Sequence, residues 1–196
     1  MPKFINALIK LVLLFIVVSC TVRDTNYLNK KHPSTINVFV DKEFSKEETV
    51  LINKAFSTWE NTLNNNVKFN VNFNINKPST FKNRESFENR IFVWKLQYDD
   101  TKNISNEDIK HFKDYEGVFL GVKHNKGDIV ILINYYGFGE RFYGVILHEV
   151  GHFLGLAHVE DKDSLMHPST GAYCVTLNDA ERACRMYKCE PKPECY

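Results

Sequence analysis

Apolar residues recur along this chain with two different periods, and each change of period marks an element. Ile36 to Val40 alternates and is β-branched, which predicts a first strand. Val50, Leu51, Ala55, Phe56, Trp59 and Leu63 then keep a helical stripe. Ser45-Lys46-Glu47-Glu48 in front of it has the form of a capping box, so a helix is expected to about Leu63, with Asn64-Asn65-Asn66 ending it. Val67, Phe69, Val71, Phe73 and Ile75 alternate with polar residues, as in a strand with one wet face. Ile91 to Leu96, Gly117 to Val122 and Ile129 to Ile133 read as further strands, the last two joined by a turn over His124-Asn125-Lys126-Gly127-Asp128. Residues 97–116 are charged and irregular, a surface loop. A helix is expected from about Glu140 to Leu154, and a last one from Asn178 to Tyr187 with Asn178 as its N-cap. This order predicts an α+β domain.

Composition adds bounds. At 196 residues, 43% apolar and 25% charged, the chain has the size and balance of one globular domain with tails. Setting aside Lys3 and Lys10 in the first 19 residues leaves 23 basic against 24 acidic residues, or −1, with no basic stripe, so no nucleic-acid partner is indicated. Lys3 and Lys10 precede the apolar run Leu11 to Val18, which is shorter than the roughly 20 residues a membrane span needs and reads as a signal peptide over residues 1–19. Val17-Val18-Ser19-Cys20 is similar to a bacterial lipobox, which makes Cys20 a candidate lipid anchor. Ordinary signal cleavage near Ser19 is the alternative. The chain is therefore expected to be exported, held at the envelope or cell surface through Cys20 or else secreted. Residues 20–35 are expected to form an anchor, linker or short leader, residues 36–187 the folded domain, and 188–196 a disulfide-stapled tail. Cys174, Cys184, Cys189 and Cys195 crowd into the last 23 residues and suit two disulfides in one of three pairings. A tetrathiolate zinc site is the rival, but it lacks any Cys-x-x-Cys pair.

The densest chemistry lies in His148-Glu149-Val150-Gly151-His152-Phe153-Leu154-Gly155-Leu156-Ala157-His158. On a helix, His148 and His152 share one face and can grip one metal, while Glu149 is rotated about 100° away, beside the metal rather than on it. Gly155 suits the left-handed turn that brings His158 back as a third ligand. Three protein ligands leave a position for water, as in a catalytic zinc site, and Glu149 is then the candidate general base.

Ser164-Leu165-Met166-His167-Pro168 follows, its methionine eight residues past His158, and with it the chain resembles the metzincin zinc peptidases, most closely the matrixins. Leu154-Gly155-Leu156, Asp161, Leu165-Met166-x-Pro168, Ala55-Phe56-x-x-Trp59 and Leu177-Asn178-Asp179 carry the likeness, which covers roughly Ile36 to Tyr187. It implies a twisted, mostly parallel mixed sheet of about five strands, a long zinc helix, a methionine turn with Met166 as an apolar floor, and a C-terminal helix. It also implies a zinc endopeptidase acting on protein or peptide substrates, monomeric, with Gly117, Val118, Phe119, Leu120, Gly121 and Val122 as the strand that receives substrate and Pro168 at the specificity pocket. Val159, His167 and Pro168-Ser169-Thr170 with Tyr173 displaced depart from the family, so side-chain preference does not carry over. His111, Asp114 and His124 lack the spacing of the second, structural zinc and the calcium of many relatives, so one zinc is expected and calcium stays open. Asp24, in the short leader, is a candidate carboxylate plug for the zinc. A non-catalytic zinc-binding surface lipoprotein or adhesin with a relic site is the competing function, disfavoured by the intact Glu149, for which a structural site has no use.

Overall fold

A computed structural model describes residue 24 and residues 35–76, 90–96, 117–122, 126–132, 139–168 and 172–195. The signal segment, Cys20, the expected loop 97–116, His111, Asp114, His124 and Ser169-Thr170 lie outside the described residues. Strands β1 (Ile36–Asp41), β2 (Phe69–Ile75), β3 (Arg90–Leu96), β4 (Gly117–Val122) and β5 (Lys126–Leu132) form one sheet in the order β2-β1-β3-β5-β4. β1 runs parallel to β2 and β3, and β3 parallel to β5. Only β4 is antiparallel, and it closes one edge against β5. The mostly parallel, mixed five-stranded sheet agrees with expectation.

Three helices complete the described fold: α1 (Lys46–Thr62), α2 (Glu140–Phe153) and α3 (Leu177–Tyr187). Ile36, Val38 and Val40 on alternate positions of β1 are fully buried and join Phe56 and Trp59 of α1 and Ile146, Leu147 and Val150 of α2 in one core. The Trp59 indole Nε1 donates to the Leu147 carbonyl at 2.8 Å, which locks α1 and α2 together at the turn that carries His148. The capping box forms as expected: Glu48 N donates to Ser45 Oγ, and Ser45 N to Glu48 Oε2 at 2.6 Å. Glu48 is itself buried and accepts from Lys95 Nζ of β3 at 2.6 and 2.9 Å, so the start of α1 is pinned to the sheet by a charge-assisted pair.

Two local expectations are corrected. The N-cap of α3 is Thr176, not Asn178: Thr176 Oγ1 accepts from Asp179 N, which places Leu177 and Asn178 inside the first turn. Lys126-Gly127-Asp128 are not a turn but the start of β5, with Gly127 opposite both Ile91 and Gly121. Turn-forming residue types yielded there to two-sided strand pairing.

The cysteines pair Cys174 with Cys195 and Cys184 with Cys189, which removes the tetrathiolate alternative. Glu194 N and Cys195 N donate to the Val175 carbonyl and Lys192 N to Thr62 O, so the tail is laced back across the domain. By the entropy of the loops closed, with separations of 21 and 5 residues, the longer bridge contributes about 3 kcal/mol and the shorter about 2 kcal/mol. Cys174→Ser/Cys195→Ser is therefore expected to lower the denaturation midpoint more than Cys184→Ser/Cys189→Ser. The reverse order in urea melts contradicts this ledger.

Candidate metal centre

α2 begins after Gly139 and holds its helical course to Phe153, with Leu154 as C-cap. Gly155 then takes φ 99°, a conformation that a side chain at Cβ strains, and the chain leaves the helix axis. Leu156 N donates back to Gly151 O at 3.0 Å, folding the loop under the helix end and returning His158 towards His148 and His152. Nε2 of His158 comes within 3.2 Å of Nε2 of His148 and 3.0 Å of that of His152. Ligand-capable atoms of all three residues lie within 4.8 Å of one another. Three nitrogens bound tetrahedrally at about 2.0–2.1 Å from one zinc would sit about 3.3 Å apart, close to the spacings found.

The tautomers also suit a cation. A carbonyl oxygen only accepts, so His148 Nδ1 must donate to Leu165 O (2.6 Å) and His152 Nδ1 to Leu156 O (2.8 Å). Both bonds leave a bare Nε2 lone pair aimed at the shared centre. Burial disfavours the imidazolium form and holds His148 down to about 4 and His152 to about 3, and it lowers His158 as well. Two lone pairs are thus fixed inward with His158 Nε2 3.2 and 3.0 Å from them, and a Lewis acid at the centre is a partner that all three nitrogens can share. These donors fit zinc.

Glu149, next along α2, is buried at 5% exposure, and the 100° turn from His148 sets it beside the cluster. Beneath the helix lies Met166, fully buried. The turn that carries it is built around Asp179 of α3, which is fully buried and which sequence reading had seen only as a family-like residue. Asp179 accepts from Ser164 Oγ (2.6 Å), Leu165 N (2.9 Å) and Thr176 Oγ1 (2.7 Å), and Ser164 Oγ in turn accepts from Met166 N at 3.0 Å. Arg182 escaped sequence reading altogether. An arginine three residues after a helical aspartate is ordinarily a surface ion pair, but here it is buried.

Of the remaining sequence candidates, β4 (residues 117–122) lies at the sheet edge, Pro168 is exposed beside the methionine turn, and Tyr173 packs on Gly144 of α2. A Cβ at Gly144 would stand 2.8 Å from both Ala172 O and Tyr173 Cδ1. Asp24 is not placed as a zinc plug. Its Oδ1 accepts from Ala157 N (2.9 Å) and Arg182 Nη2 (2.6 Å), and its Oδ2 from Arg182 Nε (3.0 Å), so both oxygens face the arginine. Burial alone would raise this carboxyl; the bonds from Arg182 and Ala157 outweigh it and hold the group below its ordinary range.

Gly151 has a packing role. A Cβ there would meet Met166 Sδ at 2.5 Å and Trp59 Cζ2 at 3.2 Å. Gly→Ala in a helix normally gains up to about 1 kcal/mol, but overpacking a filled core costs about 1–3 kcal/mol. Gly151→Ala is thus expected to lose about 1–2 kcal/mol, lowering the melting temperature by roughly 2–8 °C. An unchanged or raised value in calorimetry would show that Met166 moves aside freely.

The matrixin family profile matches residues 30–187 of this chain. A matrilysin from Felis catus is 53% identical over 36 residues, which is 18% of this chain and 14% of that protein's length. Among solved structures, archaemetzincin from Methanopyrus kandleri aligns with TM-score 0.52 and 13% identity over 82% of this chain and 99% of its own. High choriolytic enzyme 1, a hatching-enzyme zinc-protease from the medaka Oryzias latipes, aligns with TM-score 0.48 and 15% identity over 88% and 97%. At such identities the likeness to archaemetzincin speaks for the fold alone.

Proposed function

The chain belongs to the matrixin family, and from that premise we propose that it is an exported zinc-dependent endopeptidase, with His148, His152 and His158 as zinc ligands and Glu149 as general base. The observation that carries the reading is the meeting of three Nε2 atoms, two of them fixed by Nδ1–H bonds to backbone carbonyls, on a helix that also bears a buried carboxylate one position along. Zinc held there supplies Lewis acidity, which makes a water nucleophilic near neutral pH and polarises a carbonyl. Glu149 takes the proton from the attacking water and delivers it to the nitrogen of the departing amine. Met166 keeps the underside of the site apolar and dry. Strand β4, at the sheet edge, offers backbone groups to an extended peptide, with residues 117–122 alongside the substrate and Pro168 at the far wall.

Export rests on the apolar run that ends at Ser19-Cys20 and on the two disulfides, which form in oxidising compartments. Acylation of Cys20 would hold the domain at a membrane surface.

The test is cleavage of an unfolded protein, blocked by a chelator and restored by zinc. Glu149→Gln is expected to lower kcat by about 10²- to 10⁴-fold with one zinc per chain retained, because the base is lost and the ligands are not. A variant that still cleaves at the original rate refutes the mechanism. For the anchor, Cys20→Ser should move the protein from the detergent phase to the aqueous phase. No change in partition sinks the lipid assignment.

A further inference from the structure

Two of the three imidazoles are steered by a hydrogen bond at Nδ1, to Leu165 O and to Leu156 O. His158, the most exposed of the three, has no such Nδ1 bond among the described residues; its Nε2 meets those of His148 and His152, and the position of the ring otherwise follows from its backbone. That backbone is held on both sides. Val159 N donates to Met166 O at 3.1 Å, which ties the C-terminal side to the methionine turn. On the N-terminal side both polar groups of Ala157 are taken: its N–H donates to Asp24 Oδ1 at 2.9 Å, and its carbonyl accepts from Arg182 Nη2 at 2.7 Å. That carbonyl belongs to the peptide unit that leads into His158. The same Arg182 grips Asp24 through Nε and Nη2, a forked pair that fixes the guanidinium plane. Its remaining Nη1 stands 3.6 Å from Asp179, the carboxylate that holds the methionine turn. Side-chain exposures of 8% for Arg182 and 23% for Asp24 keep the pair largely away from water.

We propose that Asp24 and Arg182 are positioning residues for the third zinc ligand, so that Asp24, ahead of β1 in sequence, forms part of the metal centre. This rests on the reading of His148, His152 and His158 as zinc ligands. Without Asp24, Ala157 N–H loses its partner, and Arg182 loses the fork that fixes its guanidinium plane, keeping the Ala157 carbonyl and the more distant Asp179. The 157–158 peptide is then held through its carbonyl alone, by an arginine whose own orientation is no longer fixed, and more of the ordering of the third imidazole falls to the metal.

The experiment measures zinc affinity by competition with a chromogenic chelator, together with the melting temperature of the metal-free protein. Both are read on the full chain and on Asp24→Asn, Asp24→Ala and Asp24→Ala/Arg182→Met. Loss of an outer-sphere partner typically weakens metal binding about 10- to 100-fold, and that range is expected for Asp24→Ala, with a smaller loss for the isosteric Asp24→Asn. A merely structural ion pair behaves differently. Removing both charges in Asp24→Ala/Arg182→Met relieves the stranded arginine and should recover most of the metal-free melting temperature, while zinc stays weakly bound. Zinc affinity within twofold of the unaltered chain in Asp24→Ala overturns the proposal. So does recovery of affinity together with stability in the double variant. Should Asp24→Ala fail to fold, Asp24→Asn decides by the same criterion. An unaltered chain that binds no zinc defeats the metal-site reading itself, which separates that failure from failure of the clamp alone.

Discussion

The carboxylate of Asp179 is the contact on which the metal centre hangs. A fully buried carboxylate carries a desolvation penalty of several kcal/mol unless donors surround it, and here they do. Thr176 Oγ1, Ser164 Oγ and Leu165 N donate to it, with Arg182 Nη1 standing 3.6 Å away. The donors belong to two pieces of the site. Thr176 starts α3, while Ser164 and Leu165 shape the turn that presents Met166. The Leu165 carbonyl receives His148 Nδ1–H, and the Met166 carbonyl receives the N–H of Val159 next to His158. One anion thereby sets the tautomer of one ligand and the backbone of another, although it touches neither ring. Apolar substitution at such a point is more damaging than its contact list suggests, because it strands several buried donors at once.

What was legible in the sequence, and what was not, divides by range. His148, His152 and His158 were legible because the geometry of one helix and one glycine turn fixes them locally, and Gly155 has the positive φ that such a turn requires. The capping box at Ser45 and the alternation in β1 and β2 were legible for the same reason. Thr176 and Asn178 are both good N-cap residues, and choosing between them required knowing that Asp179 is turned inward to the methionine turn. Lys126-Gly127-Asp128 have turn chemistry and only long-range pairing makes them strand. The disulfide pairing had three local solutions. Arg182 could not be found at all, since its partner is 158 residues away in sequence.

The three imidazoles are arranged in advance for a cation. Two Nδ1–H bonds turn bare Nε2 atoms inward, burial opposes their protonation, and Met166 and Trp59 pack tightly around Gly151 beneath them. Such preorganisation is what a cation can exploit: ligands already deprotonated and oriented lose little entropy on binding. The exposed His158 is the exception: among the described residues its Nδ1 has no backbone carbonyl to anchor it, and its place depends on segments outside the helix that carries the other two.

That dependence gives the leader two ends with different demands. Asp24 is docked against Arg182 and Ala157, next to the third ligand. Cys20 is only four residues earlier, and four residues span at most about 14 Å even when fully extended. With a lipid on Cys20, the tether would be too short to let the domain stand far off the bilayer. The side of the molecule bearing Ala157 and Arg182 would face the membrane, and pulling the domain away would load the Asp24 contact first. Cleavage of substrates lying on the membrane surface is then compatible with an intact metal centre, whereas reaching out into solvent strains the pair that places His158. If Cys20 carries no lipid, this coupling vanishes and the clamp acts on the leader alone.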